Sequence, residues 1–382
     1  MSLVNNVINN IKEARNRIFE GKINCIPVPF PRFRTEFPGI QQKTYYLISG
    51  AAKSGKTQIT NYLFVYNTLL YAYRNPGKIV PRIFYYNLEE DEEDITLRFM
   101  SYLLYILYNI EVSPVDLSSI DERKPLSENI LNLIESQEFQ SILKYYEEHV
   151  KFMPSRNPTG VWKDMVGYAN SHGKTLYEDY TYINDFGKEC TGKKISGYIP
   201  DNPNEYLIII TDHVSLLETE RGGTLKAAID KLSEYYIILR NRYRYIPVAV
   251  QQQNIESIGI DAFKVDKIRP TLAGLADSKN PGKDCTVMLG ITNPHGAGKE
   301  NDLGYDIKKF KGNFRSLEVV LNRKGQSNSI CPLYFKGSVN YYKELPLPTN
   351  TPEITKVYEF LKKNISLIGF SNIKNIFKLK HD

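Results

Sequence analysis

Apolar positions along the chain fall into helical and strand patterns. Val4, Val7, Ile8, Ile11, Ala14 and Ile18 recur at helical spacing among Asn, Lys, Arg and Glu, so residues 1–20 predict an amphipathic helix with a narrow apolar stripe. Packing on its own domain and packing on a neighbouring subunit would both satisfy that stripe. A segment with Pro27, Pro29, Pro31 and Pro38 separates this helix from the next apolar run. Unbroken apolar runs at 45–48, 82–88, 206–212 and 246–250 predict strands buried on both faces, as in a parallel sheet. Helical patterns lie between them, after residue 57, at 95–110, 127–146, 161–169 and 225–243. Further strands are expected near 285–291, 316–322 and 330–335, with a basic turn at Arg323-Lys-Gly325. Residues 172–204 are polar and rich in Gly, Tyr and Asn, and read as an insertion or surface hairpin. After Pro346, Pro348 and Pro352, residues 354–380 read as one or two basic amphipathic helices. The alternation predicts an α/β fold, a mostly parallel central sheet flanked by helices. It divides into a linker-type helix (1–22), one large domain (23–345) and a basic helical tail (346–382).

Composition narrows the class. At 42% apolar and 24% charged, the 382 residues suit an ordinary globular protein. The net charge of +6 permits nucleic acid as a partner without demanding it. Cys25, Cys190, Cys285 and Cys331 are widely spaced and form no C-x-x-C, which argues for a reducing compartment and against a zinc site. No basic region followed by an apolar core opens the chain. The most apolar helical segment carries Arg98, and the uncharged stretch after it is too short for a bilayer. The expectation is a cytoplasmic protein with no membrane partner, bacterial or in a host cytoplasm if from a phage.

Chemistry enters at Gly50-Ala51-Ala52-Lys53-Ser54-Gly55-Lys56-Thr57, which fits G-x-x-x-x-G-K-[ST] between an apolar strand and a helical pattern. Glycines let the backbone wrap an anion, and consecutive N–H groups at the new helix terminus face it. Lys56 is expected on the β- and γ-phosphates of ATP and Thr57 on Mg²⁺. The acidic run Glu89–Asp94 ends a strand and begins a helix. Most of it suits the helix macrodipole, and one carboxylate there can activate a water. Asp212, ending the Ile-rich run, suits Mg²⁺ or a turn cap. Gln251–Asn254 either sense a γ-phosphate or cap a loop. Lys264, Lys267, Arg269, Lys279 and Lys283 line either a nucleic-acid channel or a solvated surface. His172-Gly-Lys-Thr175 lacks the upstream glycine and strand of a second P-loop. Together these describe a RecA-like P-loop NTPase core, with one additional strand expected between the P-loop strand and the next in sequence.

Over residues 24–340 the chain resembles the ATPase domain of DnaB-type replicative helicases, hexameric ring motors. The P-loop matches the family's first motif. Asn87-Leu-Glu89 with Ile95 and Arg98 resembles its Ser-Leu-Glu-Met segment, which implies Glu89 as the catalytic carboxylate. Residues 210–217 resemble its Walker B segment and place Asp212 on Mg²⁺. Residues 247–254 resemble its Pro-Val-Ile-Ala-Leu-Ser-Gln-Leu-Asn and imply Gln252 as sensor. Residues 272–284, with Ser278, resemble the loop that touches single-stranded DNA. Val320-Leu-Asn-Arg323-Lys-Gly325 resembles its Lys-x-Arg-x-Gly, implying Arg323 as a finger on a neighbour's ATP. The resemblance also implies a homo-oligomeric ring, a primase or loader partner, 5′ to 3′ movement and a first helix docked on the adjacent subunit. Leu321 replaces the family's second basic residue, Ala276-Asp-Ser278 replaces Arg-Glu-Ser, and the N-terminal helical domain has no counterpart. Two other readings share this core: a recombinase or strand-annealing ATPase, and an ATPase module that is not a motor.

Overall fold

The computed structural model describes residues 3–254 and 268–363. Helix α1 (Leu3–Phe19) precedes the P-loop strand β1 (Tyr46–Gly50). A continuous helical stretch follows: α2 (Lys56–Thr60), a π-helical turn (Asn61–Tyr66) and α3 (Asn67–Arg74). Next come β2 (Val80–Asn87), α4 (Glu92–Tyr108), α5 (Glu128–Ile134), α6 (Gln137–His149), β3 (Val150–Phe152) and α7 (Pro158–Ser171). The polar insertion is a hairpin of β4 (Gly173–Ile183) and β5 (Glu189–Pro200), paired only with each other. Then come β6 (Glu205–Asp212), α8 (Leu225–Tyr243), β7 (Ile246–Gln252), the short α9 (Asn280–Asp284) and β8 (Val287–Thr292). The chain ends in β9 (Phe314–Asn322), β10 (Ile330–Lys336), β11 (Tyr341–Glu344) and α10 (Thr351–Lys363).

Nine strands form the main sheet in the order β11-β10-β9-β8-β1-β7-β6-β2-β3. The six from β8 to β3 are mutually parallel, and β9, β10 and β11 extend the edge antiparallel. Two strands, β7 and β6, separate β1 from β2, where the sequence reading placed one. Glu89 therefore does not follow a strand adjacent to the P-loop strand. Chain order carries no information about which later strands insert into the sheet.

Period-two alternation divides the strands between two cores. Tyr46, Ile48, Ile83, Tyr85, Ile208, Ile210, Val248 and Val250 pack under the helices on the P-loop helix side. Tyr45, Leu47, Phe84, Tyr86, Leu207, Ile209 and Ala249 pack under α7 and α8 on the other. A third cluster seats Val357 and Phe360 of α10 on Tyr305, Phe310, Phe314 and Tyr334. By contrast, Val4, Val7, Ile8, Ile11, Ile18 and Phe19 of α1 are exposed, so this chain leaves that stripe uncovered. No helix among the described residues is long and apolar enough to cross a membrane. All four cysteines are free thiols.

Candidate active site

The P-loop is built by close approach. A Cβ at Gly50 would lie 2.4 Å from Ser54 Oγ and 2.6 Å from Ile291 O, so only glycine lets the loop fold against β8. Lys53 and Gly55 take left-handed backbone conformations, at φ 57° and 103°. Gly55 then caps α2, whose first residues are Lys56 and Thr57. Ala51 and Ala52 form the turn itself, and the Ala51 carbonyl accepts bonds from Ser54 N (3.3 Å) and Lys56 Nζ (2.9 Å).

Parallel register brings the other motifs to the same sheet edge. Gly50 pairs with Gln252 on β7, and Asp212 on β6 pairs with Asn87 on β2. Asp212 is 2% exposed. Burial pushes its carboxyl up to about 7, with Glu90 and Glu89 adding in the same direction and the Thr57 side chain and Lys56 opposing. Tyr85 Oη donates to Asp212 Oδ2 at 3.4 Å, and Oδ1 is buried with no hydrogen-bond partner. A buried carboxylate oxygen without a partner, beside a threonine hydroxyl, is a donor set that fits Mg²⁺. Burial lowers the Lys56 pKa, while the negative charges of Asp212 and Glu89 hold it up.

The acidic run sorts itself by contacts. Asp91 caps α4 by accepting from Glu93 N, and Glu92, Glu93 and Asp94 occupy its first turn. Glu90 pairs with Arg98 at 2.6 Å. Glu89 is the carboxylate left facing the P-loop side. It is half-exposed, 3.7 Å from His213 Nε2, and close enough to act on both Lys56 and Asp212.

Gln252 is half-buried beside the P-loop, and its carbonyl accepts from Ala276 N at 2.9 Å. Its neighbours, unremarked in the sequence, tie the following loop down. Gln251 Nε2 donates to Ala276 O and Ser278 O, at 2.5 and 2.8 Å. Gln253 donates to Ser49 Oγ at 2.7 Å and accepts from Thr271 N at 3.2 Å. The alternating Gln-Gln-Gln at a strand end was the available signal.

The basic residues named for DNA contact divide. Lys264 and Lys267 lie outside the described residues. Arg269 is engaged internally, with Asp302 at 2.6 Å and Ser316 Oγ at 2.8 Å. Ser278 is buried and donates to Asp230. Lys279 is exposed but bonds the carbonyls of Ala273 (2.6 Å) and Leu275, and Lys283 is exposed. Arg323 sits at the opposite sheet edge, donating to Cys285 O at 3.0 Å and Lys283 O at 2.6 Å. Beside it Lys324, which the sequence reading passed over, bonds Lys43 O and Thr44 Oγ1, and burial lowers its pKa to about 8. Two buried side chains from the antiparallel strands, Arg315 and Tyr342, reach the P-loop from behind and were also missed. An arginine opening the Phe314–Asn322 strand pattern was a signal for the first; the second had none.

No family model matches the chain, and no curated protein matches it in sequence. Solved structures do. One, the ATPase domain of a DnaB-like helicase, is 13% identical, covers 90% of this chain and 99% of its own, and superposes with a TM-score of 0.63. A DnaB-like replicative helicase, solved for its interactions with primase, is 12% identical and covers 90% of this chain and 67% of its own, with a TM-score of 0.60. At such identities the likeness is one of fold, and the fold of this chain is that of the RecA-like ATPase domain of DnaB-like helicases.

Proposed function

We propose that this protein is an ATP-dependent DNA helicase that works as a homo-oligomeric ring, hexameric as the resemblance implies. The observation that carries the reading is the meeting of Lys56, Thr57, Glu89, Asp212 and Gln252 at one sheet edge, with Arg323 at the other. P-loop amides and Lys56 hold the phosphates of ATP. Thr57 and Asp212 hold Mg²⁺, which when bound neutralises charge on the phosphate oxygens. Glu89 orients and deprotonates the attacking water, and His213 holds its carboxylate. Gln252 reports the γ-phosphate state through its own strand to residues 271–278, which Gln251 and Gln253 fasten to it. Lys283 and the basic residues before it are the side of that loop offered to single-stranded DNA. Arg323 serves the ATP of the adjacent subunit, and α1 covers its exposed stripe there. A primase or loader is the partner class suggested by the helicase of similar fold, and a cytoplasm is the setting.

Unwinding of a forked duplex with ATP and Mg²⁺, beside a Glu89→Gln control, tests the reading. Wild-type unwinding that the control loses supports it. DNA-stimulated hydrolysis without unwinding would favour a recombinase or annealing ATPase, and hydrolysis indifferent to DNA a module that is not a motor.

A further inference from the structure

The carbonyl side of the P-loop is held by residues that the proposed ATP chemistry does not use. Arg315 opens β9 and is 7% exposed. Its Nε donates to Ser54 O at 2.8 Å, and its Nη1 donates to Gly312 O and Phe314 O, both at 2.7 Å. Its Cζ lies 4.8 Å from the centre of the Phe335 ring. Tyr342 of β11 is buried at 1% exposure, and its hydroxyl donates to Gly55 O at 3.4 Å. Two consecutive P-loop carbonyls are thus gripped from the antiparallel edge of the sheet.

Peptide geometry turns that grip into a statement about the phosphate side. In a trans peptide the C=O of one residue and the N–H of the next point in opposite directions. Holding the carbonyls of Ser54 and Gly55 from behind turns the N–H groups of Gly55 and Lys56 forward, into the loop's concavity. A guanidinium bonded to the Ser54 oxygen also polarises that peptide and makes the Gly55 N–H a stronger donor to an anion. Arginine stays protonated even where burial lowers its pKa, as it does here. Among the described residues Arg315 forms no ion pair with a carboxylate; its partners are carbonyls and a ring face. A buried cation without a counter-charge is costly. A polyphosphate on the other side of the same peptide offsets that cost.

We infer that Arg315 is a positioning residue for the phosphate cradle, acting through the Ser54–Gly55 peptide, with Tyr342 steadying the Gly55 carbonyl beside it. The inference rests on the P-loop reading of residues 50–57. It concerns ground-state phosphate binding, so its mark is on affinity and KM more than on kcat.

The test uses the full chain, a fluorescent ADP (mant-ADP) and steady-state ATP hydrolysis. Arg315→Met is expected to weaken mant-ADP by about tenfold or more, the worth of one charge-assisted hydrogen bond, and to raise KM in parallel, with kcat changed less than about threefold. Arg315→Lys, which keeps the cation, recovers most of the loss, a rescue that a packing role would not give. Tyr342→Phe, which removes one hydroxyl, weakens mant-ADP by about two- to fourfold and carries the test if Arg315→Met does not fold. A folded Arg315→Met that binds mant-ADP within twofold of wild type overturns the inference and leaves the P-loop reading standing. So does equal weakening by the Lys and Met variants. Failure of the wild-type chain itself to bind mant-ADP overturns both.

Discussion

Because Arg323 lies at the sheet edge opposite the P-loop, hydrolysis should be restored by mixing two dead chains. On β8, Ile291 pairs with Gly50 at the P-loop end, whereas Val287 pairs with Tyr46 and with Asn322, next to Arg323. Four residues of strand, roughly 13 Å at about 3.3 Å per residue, separate the two levels, more than an arginine side chain spans. Lys56→Ala removes the phosphate cation. Arg323→Ala removes the finger, worth roughly 10³-fold or more in turnover, and its two carbonyl bonds, roughly 2 kcal/mol of stability. In a head-to-tail assembly an interface is whole when one chain keeps Lys56 and its neighbour keeps Arg323. In an equal mixture each condition holds half the time, so about one quarter of interfaces are whole whatever the ring size. The assay is ATP turnover per chain for each variant, for their mixture, and for wild type through a dilution series, with native mass spectrometry to establish co-assembly. The expected results are two parents near background, a mixture at up to about a quarter of wild type, and wild-type turnover that falls as the assembly dissociates. Co-assembled mixtures that stay at background, together with wild-type turnover per chain unchanged on dilution to monomers, would refute the shared-site argument.

Three further outcomes rest on particular contacts. Gly50→Ala forces a Cβ within 2.6 Å of Ile291 O, so it should abolish mant-ADP binding and cost roughly 1–3 kcal/mol in a urea melt. Arg269→Ala breaks the bonds to Asp302 and Ser316. It should cost roughly 1–3 kcal/mol in the same melt while leaving single-stranded DNA anisotropy within about twofold, because its guanidinium is spent inside the protein. Replacing residues 174–199 by a short turn removes a hairpin that joins no other strand. Calorimetry should show a melting shift of less than about 3 °C, and basal ATP hydrolysis should persist.

What the sequence made legible tracks the strength of each local signal. The runs at 82–88, 206–212 and 246–250 became strands because continuous Ile, Val and Tyr demand burial on both faces, and the sheet supplies it. Residues 172–204 became a hairpin because their polar character excluded the core. The helical pattern at 127–146 divides in two, since Ser136 caps a new helix by accepting from Phe139 N. Helix α7 starts before Val161 because Asn157 caps it and Pro158 fits its first turn. The expected tail reaches Lys363 as one helix, and its remainder lies outside the described residues. Strand order was beyond reach, being a long-range property. Side-chain destinations of charged loop residues were equally hidden: Arg269 and Lys283 look alike in sequence, yet one is paired inside and the other exposed.

Sheet polarity explains why the candidate residues divide between two ends of one domain. Gly50, Asn87, Asp212 and Gln252 all stand at the C-terminal ends of parallel strands, and parallel strands place those ends on one edge. Residues scattered over two hundred positions thereby converge without any local sequence linking them. Strand β9 runs the other way, so its start delivers Arg315 to the P-loop edge and its end delivers Arg323 to the far one. One reversed strand therefore carries an arginine for its own nucleotide loop at one end and an arginine free of that loop at the other. A chain with its P-loop on one edge and an unshared cation on the opposite edge has two different, complementary surfaces, the requirement for a heterologous joint. Repeating that joint closes a ring if the rotation permits and makes a filament if it does not. The ring reading and the recombinase reading thus differ in how the joint closes, not in the site it builds.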